Sequence, residues 1–75
     1  MKKIVNNLLY DTELSELIHK DEVNNRLWYK TSNGNYFVFY GTGEITPKTE
    51  RTVRDYLGEN SIEKYIELFG EPKEA

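Results

Sequence analysis

Two runs of β-prone residues flank the dipeptide Asn33-Gly34, one over residues 27–31 and the other over residues 36–40. Asn-Gly between such runs is the strongest short-range signal for a β-hairpin, because both central positions of a tight turn need a positive φ. The sequence therefore predicts a central hairpin with a two-residue turn at Asn33-Gly34.

A two-residue turn also fixes which side chains share a face of the hairpin. It pairs Trp28 with Phe39, and the alternation of side chains along a strand then places Tyr29, Tyr36 and Tyr40 together on the opposite face. Tyrosine buries a ring while keeping a polar hydroxyl, and it is enriched at protein interfaces. We therefore predict that these three tyrosines form a partner-binding face, unless another segment or a second copy of the chain covers it.

The first of two C-terminal helices is predicted over about residues 47–57. Thr46 is a suitable N-cap and Pro47 suits the first helical position. Apolar residues follow at helical spacing, namely Val53, Tyr56 and Leu57. Gly58 supplies a stop signal directly after them.

A second helix is predicted over about residues 62–69, starting after Asn60-Ser61. Its apolar residues follow the spacing i, i+3, i+4, i+7, namely Ile62, Tyr65, Ile66 and Phe69. Gly70 ends it and Pro72 lies just beyond, so residues 71–75 are predicted to be a frayed tail.

Residues 8–19 allow two interpretations. Asp11 could cap a helix that buries Leu14, Leu17 and Ile18, which propensity slightly favours. Alternatively, residues 11–13 could form the turn of a hairpin between strands near 4–10 and 14–19. The polar segment 20–26 is predicted to be a loop.

These elements together predict one small α+β domain over residues 1–75. An antiparallel sheet of about four strands, or of three strands and a helix, would occupy residues 1–45, and two helices would occupy residues 46–70. A chain of 75 residues is short enough for one core.

Composition narrows the function classes. The chain has no cysteine and a formal charge of −3, so disulfide frameworks, cysteine-based metal sites and thiol nucleophiles are excluded. No signal peptide or membrane-spanning stretch is recognised, and we expect a cytoplasmic protein.

No catalytic constellation is recognised either. His19 is the only histidine, and no serine has a nucleophile-elbow context. Gly41-Thr42-Gly43 lacks the lysine of a phosphate-binding loop. We therefore expect no enzyme activity, no cofactor and no metal.

Two charge clusters suggest partners. Lys48, Arg51 and Arg54 recur every three residues and could contact nucleic acid beside aromatic rings. Glutamates recur every four residues at positions 59, 63, 67 and 71, and Glu63 and Glu67 are candidates for contact with a basic protein surface.

Several short segments resemble a group of small uncharacterised proteins from bacteria and their phages. They are the run 9–13 (Leu-Tyr-Asp-Thr-Glu), Leu17-Ile18, the run 29–31 (Tyr-Lys-Thr), the run 34–37 (Gly-Asn-Tyr-Phe), Gly41, Gly43 and the run 69–71 (Phe-Gly-Glu). The resemblance favours the hairpin interpretation of residues 4–19 and implies a phage or mobile-element setting. Many small acidic proteins of that setting inhibit host defence systems, including anti-CRISPR proteins.

The sequence thus supports three functional hypotheses. The first is a non-enzymatic protein-binding module that inhibits a host defence nuclease by occluding its surface. The second is a small nucleic-acid-binding accessory protein. The third is a structural homodimer with a buried tyrosine face.

Overall fold

The computed structural model describes all 75 residues and shows six strands followed by two helices. The strands are β1 (Lys2–Val5), β2 (Leu8–Asp11), β3 (Glu16–Asp21), β4 (Arg26–Lys30), β5 (Tyr36–Tyr40) and β6 (Ile45–Lys48), and the helices are α1 (Glu50–Asn60) and α2 (Ile62–Phe69). β1 and β2 form a two-stranded ribbon, whereas β3 to β6 form an antiparallel sheet in chain order. The predicted α+β class is confirmed.

The central hairpin joins β4 to β5, but its loop has three residues instead of two. The Thr31 amide donates to the Asn35 carbonyl at 2.8 Å, and the Gly34 amide donates to the Thr31 carbonyl at 3.0 Å. Gly34 has a φ of 84°, whereas Asn33 is not left-handed. Asn-Gly is compatible with two common hairpin connections, a two-residue turn and a three-residue loop that ends in a left-handed glycine. The chain adopts the three-residue loop.

The longer loop shifts the register by one residue. Trp28 pairs with Val38 and Lys30 pairs with Tyr36, so the predicted pairing of Trp28 with Phe39 is wrong. A shift of one residue moves every side chain of one strand to the opposite face.

Each face of the four-stranded sheet has its own cover. The helix face, beneath α1 and α2, carries Trp28, Tyr36, Val38 and Tyr40, and the ribbon face, against β1 and β2, carries Tyr29, Phe37 and Phe39. The chain therefore has two apolar cores, one on each side of the sheet.

The core on the helix face centres on Trp28. The fully or nearly buried side chains there are Ile18, Trp28, Tyr36, Val38, Val53 and Leu57. The Trp28 ring stacks on Tyr56 of α1, with ring centroids 4.3 Å apart and an interplanar angle of 15°. A register irregularity between Leu17 and His19 accommodates Ile18 in β3, which is buried against this core.

Helix α1 begins later and ends later than predicted. Pro47 pairs with Phe37 inside β6, an edge strand in which a residue without an N–H is tolerated. Thr49 is the N-cap instead, and its hydroxyl accepts from the Thr52 amide at 3.2 Å. The helix continues through Gly58 to Asn60. Because β6 extends to Lys48, the β-rich part of the chain ends later than the predicted residue 45.

Helix α2 confirms the predicted span of residues 62–69. Ser61 separates it from α1, and Gly70 ends it with a φ of 87°. Residues 71–75 have no regular secondary structure.

Residues 8–19 follow neither predicted alternative. No helix forms, and β2 and β3 belong to different sheets, so residues 11–13 do not turn a hairpin. The hairpin turn lies earlier, at Asn6 and Asn7, whose φ values are 51° and 64°. Both are left-handed, as a tight turn of the ribbon requires, and asparagine tolerates that conformation better than most residues.

The ribbon packs on the β5–β6 part of the ribbon face. Tyr10, Phe37 and Ile45 are buried there, and the rings of Tyr10 and Phe37 meet edge to face at 5.6 Å. The Lys3 ammonium also donates to the Ile45 carbonyl at 3.2 Å.

The loop predicted over residues 20–26 is shorter in the structure, because β3 extends to Asp21 and β4 begins at Arg26.

Candidate functional site

The tyrosine face predicted from the hairpin is not formed. Tyr36 lies on the helix face, is only 4% exposed and has the Phe69 ring 6.2 Å away. Tyr40 is half-buried beside the same core. Tyr29 lies on the opposite face, stacked on Phe37 with ring centroids 5.1 Å apart. These tyrosines pack against the two cores, and burial raises the pKa of the Tyr36 hydroxyl.

The predicted basic cluster is divided between elements. Lys48 lies on β6 and Arg51 is exposed on α1. Arg54 donates to Tyr65 Oη at 3.4 Å and to Glu50 Oε2 at 3.0 Å, contacts that raise the pKa of its guanidinium. Its guanidinium carbon also lies 4.3 Å from the Phe69 ring centroid. Arg54 is thus engaged within the chain.

The predicted stripe of four glutamates is reduced to two on α2. Glu59 belongs to α1 and Glu71 follows the end of α2, which leaves Glu63 and Glu67. Glu67 pairs with Lys64 at 2.6 Å and remains largely exposed. Glu63 is exposed and forms no ion pair within the chain. Glu63 is thus an unpaired surface carboxylate, whereas Glu67 is exposed but already paired with Lys64.

Beside these glutamates lies an exposed apolar concavity, which we call the α2 surface. It is lined by Gly58, Ile62, Tyr65, Ile66 and Pro72 and has a volume of about 370 Å³. Ile62 is 64% exposed and Ile66 is 37% exposed. The sequence pattern placed both isoleucines on one apolar stripe with Tyr65 and Phe69, and it did not predict an exposed surface here.

Helix geometry explains why these isoleucines stay outside. Tyr65, Leu68 and Phe69 face the core. At 100° per residue, Ile62 and Ile66 fall just beyond this arc, and Glu63 and Glu67 follow them around the helix. The α2 surface thus combines an apolar strip with a carboxylate border.

A polar cluster centred on the buried Asp21 carboxylate lies where β3 ends and β4 begins. The Asn24 side-chain amide donates to Asp21 Oδ2 at 3.0 Å, and Arg26 Nε donates to the same oxygen at 2.7 Å. Both contacts hold the pKa of Asp21 well below its usual range, although burial opposes them. Burial also raises the pKa of the nearby Tyr56 hydroxyl. Because each contact closes the loop between β3 and β4, we assign this cluster a structural role.

His19 is half-buried and contacts helix α1. Its ring meets Tyr56 edge to face at 5.4 Å. No three side chains of the metal-binding types lie close enough together to hold an ion. Neither α1 nor α2 has the length and hydrophobicity that crossing a bilayer requires.

The fold and the α2 surface define a small α+β domain with an exposed apolar and acidic helix. Comparison with protein-family models, curated proteins and solved structures finds no match to this chain. The resemblance to small phage and bacterial proteins therefore stays a prediction from the sequence.

Proposed function

We propose that the chain is a non-enzymatic protein-binding module that uses the α2 surface to dock a basic partner protein. The observation that carries the proposal is the exposure of Ile62 and Ile66, which line a concavity on a helix whose adjacent side already packs on the core. Exposed apolar surface with a polar rim is the usual composition of a protein contact site.

Charge supports a basic partner. Residues 55–75 contain six acidic and two basic side chains, and Glu63 has no ionic partner within the chain. A negative surface attracts positively charged partners and repels nucleic-acid phosphates. A basic protein groove therefore fits the α2 surface better than a nucleic acid does.

The specific form of this proposal is an inhibitor from a phage or mobile element that occludes the basic groove of a host defence nuclease. Two considerations support it: the sequence resemblance described above, and the carboxylate border, which could compete with a nucleic acid for such a groove. The docking elements would be Ile62 and Ile66, with Glu63 and Glu67 steering the encounter.

The test is capture of partners from a nuclease-treated bacterial lysate, followed by affinity measurements with the purified partner. Ile62→Ser combined with Ile66→Ser should weaken the affinity about tenfold or more, because each isoleucine loses apolar burial in the complex. Val23→Ser is the matched control, because Val23 is 93% exposed in the loop between β3 and β4. Equal affinity of the double variant and the control would overturn the proposal, as would capture that disappears with nuclease.

A salt series separates steering from apolar contact. Association should slow as salt is raised, since screening weakens long-range attraction. Glu63→Gln combined with Glu67→Gln should flatten that dependence, whereas Glu44→Gln, in the exposed loop between β5 and β6, should not. A salt dependence that survives the double variant would remove these carboxylates from the mechanism.

A further inference from the structure

A groove lies between β2, the turn that follows it and the loop between β4 and β5, and we call it the ribbon groove. It has a volume of about 220 Å³, and its apolar wall consists of Leu8, Leu9 and Leu14. Asp11 is the only charged side chain that lines it. None of its lining residues belongs to the α2 surface. The ribbon groove thus combines an apolar wall with one negative charge, and it does not depend on the proposed function.

The Asp11 carboxylate is buried, but only one of its oxygens has a partner. Asp11 is 8% exposed. Its Oδ1 accepts from the Glu13 amide at 2.9 Å, which holds the turn after β2. No group of the chain donates to Oδ2, and Asp11 forms no ion pair. Aspartate is rarely buried without a counter-charge, because removing a charge from water is costly. One oxygen of Asp11 is therefore free for a cation.

The chain does not supply that cation itself. Lys2 is the cross-strand neighbour of Asp11, but it is exposed and makes no ion pair. Tyr10 adds a second free polar group to the groove wall, since it is 7% exposed and its hydroxyl makes no hydrogen bond within the chain. Trp28 Nε1 is the only fully buried side-chain polar atom without a partner, so Asp11 Oδ2 and Tyr10 Oη both remain accessible.

We propose that the ribbon groove binds an aliphatic primary ammonium group, with the ammonium at Asp11 Oδ2 and the alkyl chain along the leucines. An ammonium is a point charge with three donors, whereas a guanidinium pairs best with both oxygens of a carboxylate. Because the Glu13 amide occupies Oδ1, the single free oxygen of Asp11 favours the ammonium.

The composition and size of the groove agree with such a ligand. One carboxylate does not provide the six or more oxygen ligands that Ca²⁺ takes, so an organic cation fits better than this metal. A volume of about 220 Å³ is smaller than the sites of drug-sized ligands, about 300–1,000 Å³, and suits a short alkyl chain. Leu9 and Leu14 are exposed, so this chain would remove their apolar surface from water.

The test is a titration of the isotope-labelled full chain with n-butylammonium chloride, followed by NMR chemical shifts. The backbone amide signals of residues 8–15 and 31–35 should shift and saturate, whereas those of α2 should not. n-Butanol has the same alkyl chain without the charge, and it should bind about tenfold more weakly or not at all. Sodium chloride at the same ionic strength should not produce these shifts.

Asp11→Asn removes the charge, while the asparagine oxygen can still accept from the Glu13 amide. It should weaken the binding of n-butylammonium about tenfold or more, because hydrogen bonds to charged groups are the strong ones. Asp55→Asn, at an exposed position on α1, is the matched control and should leave the affinity unchanged. Leu14→Ser shortens the apolar wall at a position that is 70% exposed, so it should keep the fold and weaken binding about threefold.

A lysine peptide blocked at both ends distinguishes two sources of the ammonium group. Binding of the peptide would assign the groove to a lysine side chain of another protein, whereas binding of n-butylammonium alone would assign it to a small amine. No saturating shift at residues 8–15 with either probe would overturn the proposal, as would equal affinities of the unmodified chain and Asp11→Asn. Circular dichroism checks that each variant is folded, and if Asp11→Asn is not, n-butanol and Leu14→Ser decide the outcome.

Discussion

Arg26 Nε donates a hydrogen bond to Asp21 Oδ2 at 2.7 Å, which joins the end of β3 to the start of β4. The Asp21 carboxylate also accepts from the backbone and side-chain amides of Asn24, at 3.1 Å and 3.0 Å. Its side chain is only 6% exposed, whereas that of Arg26 is 21% exposed. The Arg26 guanidinium extends over the rings of Trp28 and Tyr56, at 5.0 Å and 5.2 Å from their centroids. One ion pair thus connects the loop to the junction of sheet and helix.

Replacing Asp21 with asparagine should destabilise the fold by about 2 kcal/mol, because Arg26 then stays partly buried without its counter-charge. Urea unfolding followed by circular dichroism measures the change. Asparagine keeps one oxygen, which can accept from the Asn24 backbone amide, but it puts an NH2 group where Oδ2 accepts from Asn24 Nδ2 and Arg26 Nε. The loss therefore reports on the charge and on these two hydrogen bonds together. Glu22→Gln, in the same loop and exposed, is the control and should change stability by less than about 0.5 kcal/mol. Equal effects at both positions would contradict the structural role of Asp21.

Stability should also fall in acid through this same group. The pKa of Asp21 is lower in the folded chain than its ordinary value of 3.8. The stabilisation is therefore fully present above about pH 5 and is lost as the pH falls toward the folded-state pKa. Unfolding by urea at a series of pH values should show this decline, and Asp21→Asn should show a smaller one. Parallel curves for the two proteins would rule Asp21 out as the acid-sensitive group.

Two glycine substitutions should have opposite signs. Gly34→Ala places a side chain at a φ of 84° and should destabilise the chain by about 1 kcal/mol. Gly58→Ala lies inside α1, where the added Cβ would be 4.0 Å from Tyr65, and should stabilise it by about 0.5–1 kcal/mol. Thermal unfolding compares the two. A stabilising Gly34→Ala would argue against the three-residue loop between β4 and β5.

Apolar residues on the two helices should contribute unequally to stability. Leu57→Ala removes a fully buried side chain of α1 and should cost about 2–5 kcal/mol. Ile62→Ala removes a side chain that is 64% exposed and should cost less than about 0.5 kcal/mol. Urea unfolding of both variants is the measurement. A large loss at Ile62 would mean that this residue supports the core and is not free to bind a partner.

The sequence predicted the class of the fold and the position of the central hairpin, but not its register. Asn33-Gly34 suits a two-residue turn and also a three-residue loop that ends in a left-handed glycine. The choice between them shifts one strand by one residue, which moved Tyr36 to the face opposite Tyr29. A local signal cannot fix that choice, because it depends on which faces the helices and the ribbon cover.

The other differences between the sequence predictions and the structure also have local causes. Proline is tolerated both in the first turn of a helix and in an edge strand. In the structure Pro47 pairs with Phe37, so it belongs to the edge strand β6. Asn6 and Asn7 form a tight turn with no glycine, so the ribbon gave a weaker signal than the central hairpin. The spacing of Ile62 and Ile66 indicated a helix correctly, but not which part of it the core would leave exposed.

Trp28 is the only tryptophan of the chain, and it sits where the sheet meets α1, stacked on Tyr56 and only 2% exposed. Its emission therefore reports on one event, the docking of the helices on the sheet, without any added label. The α2 surface does not include this ring, so its occupation by a partner should leave the emission maximum in place. Separation of α1 from the sheet should move the maximum toward longer wavelengths as water reaches the indole.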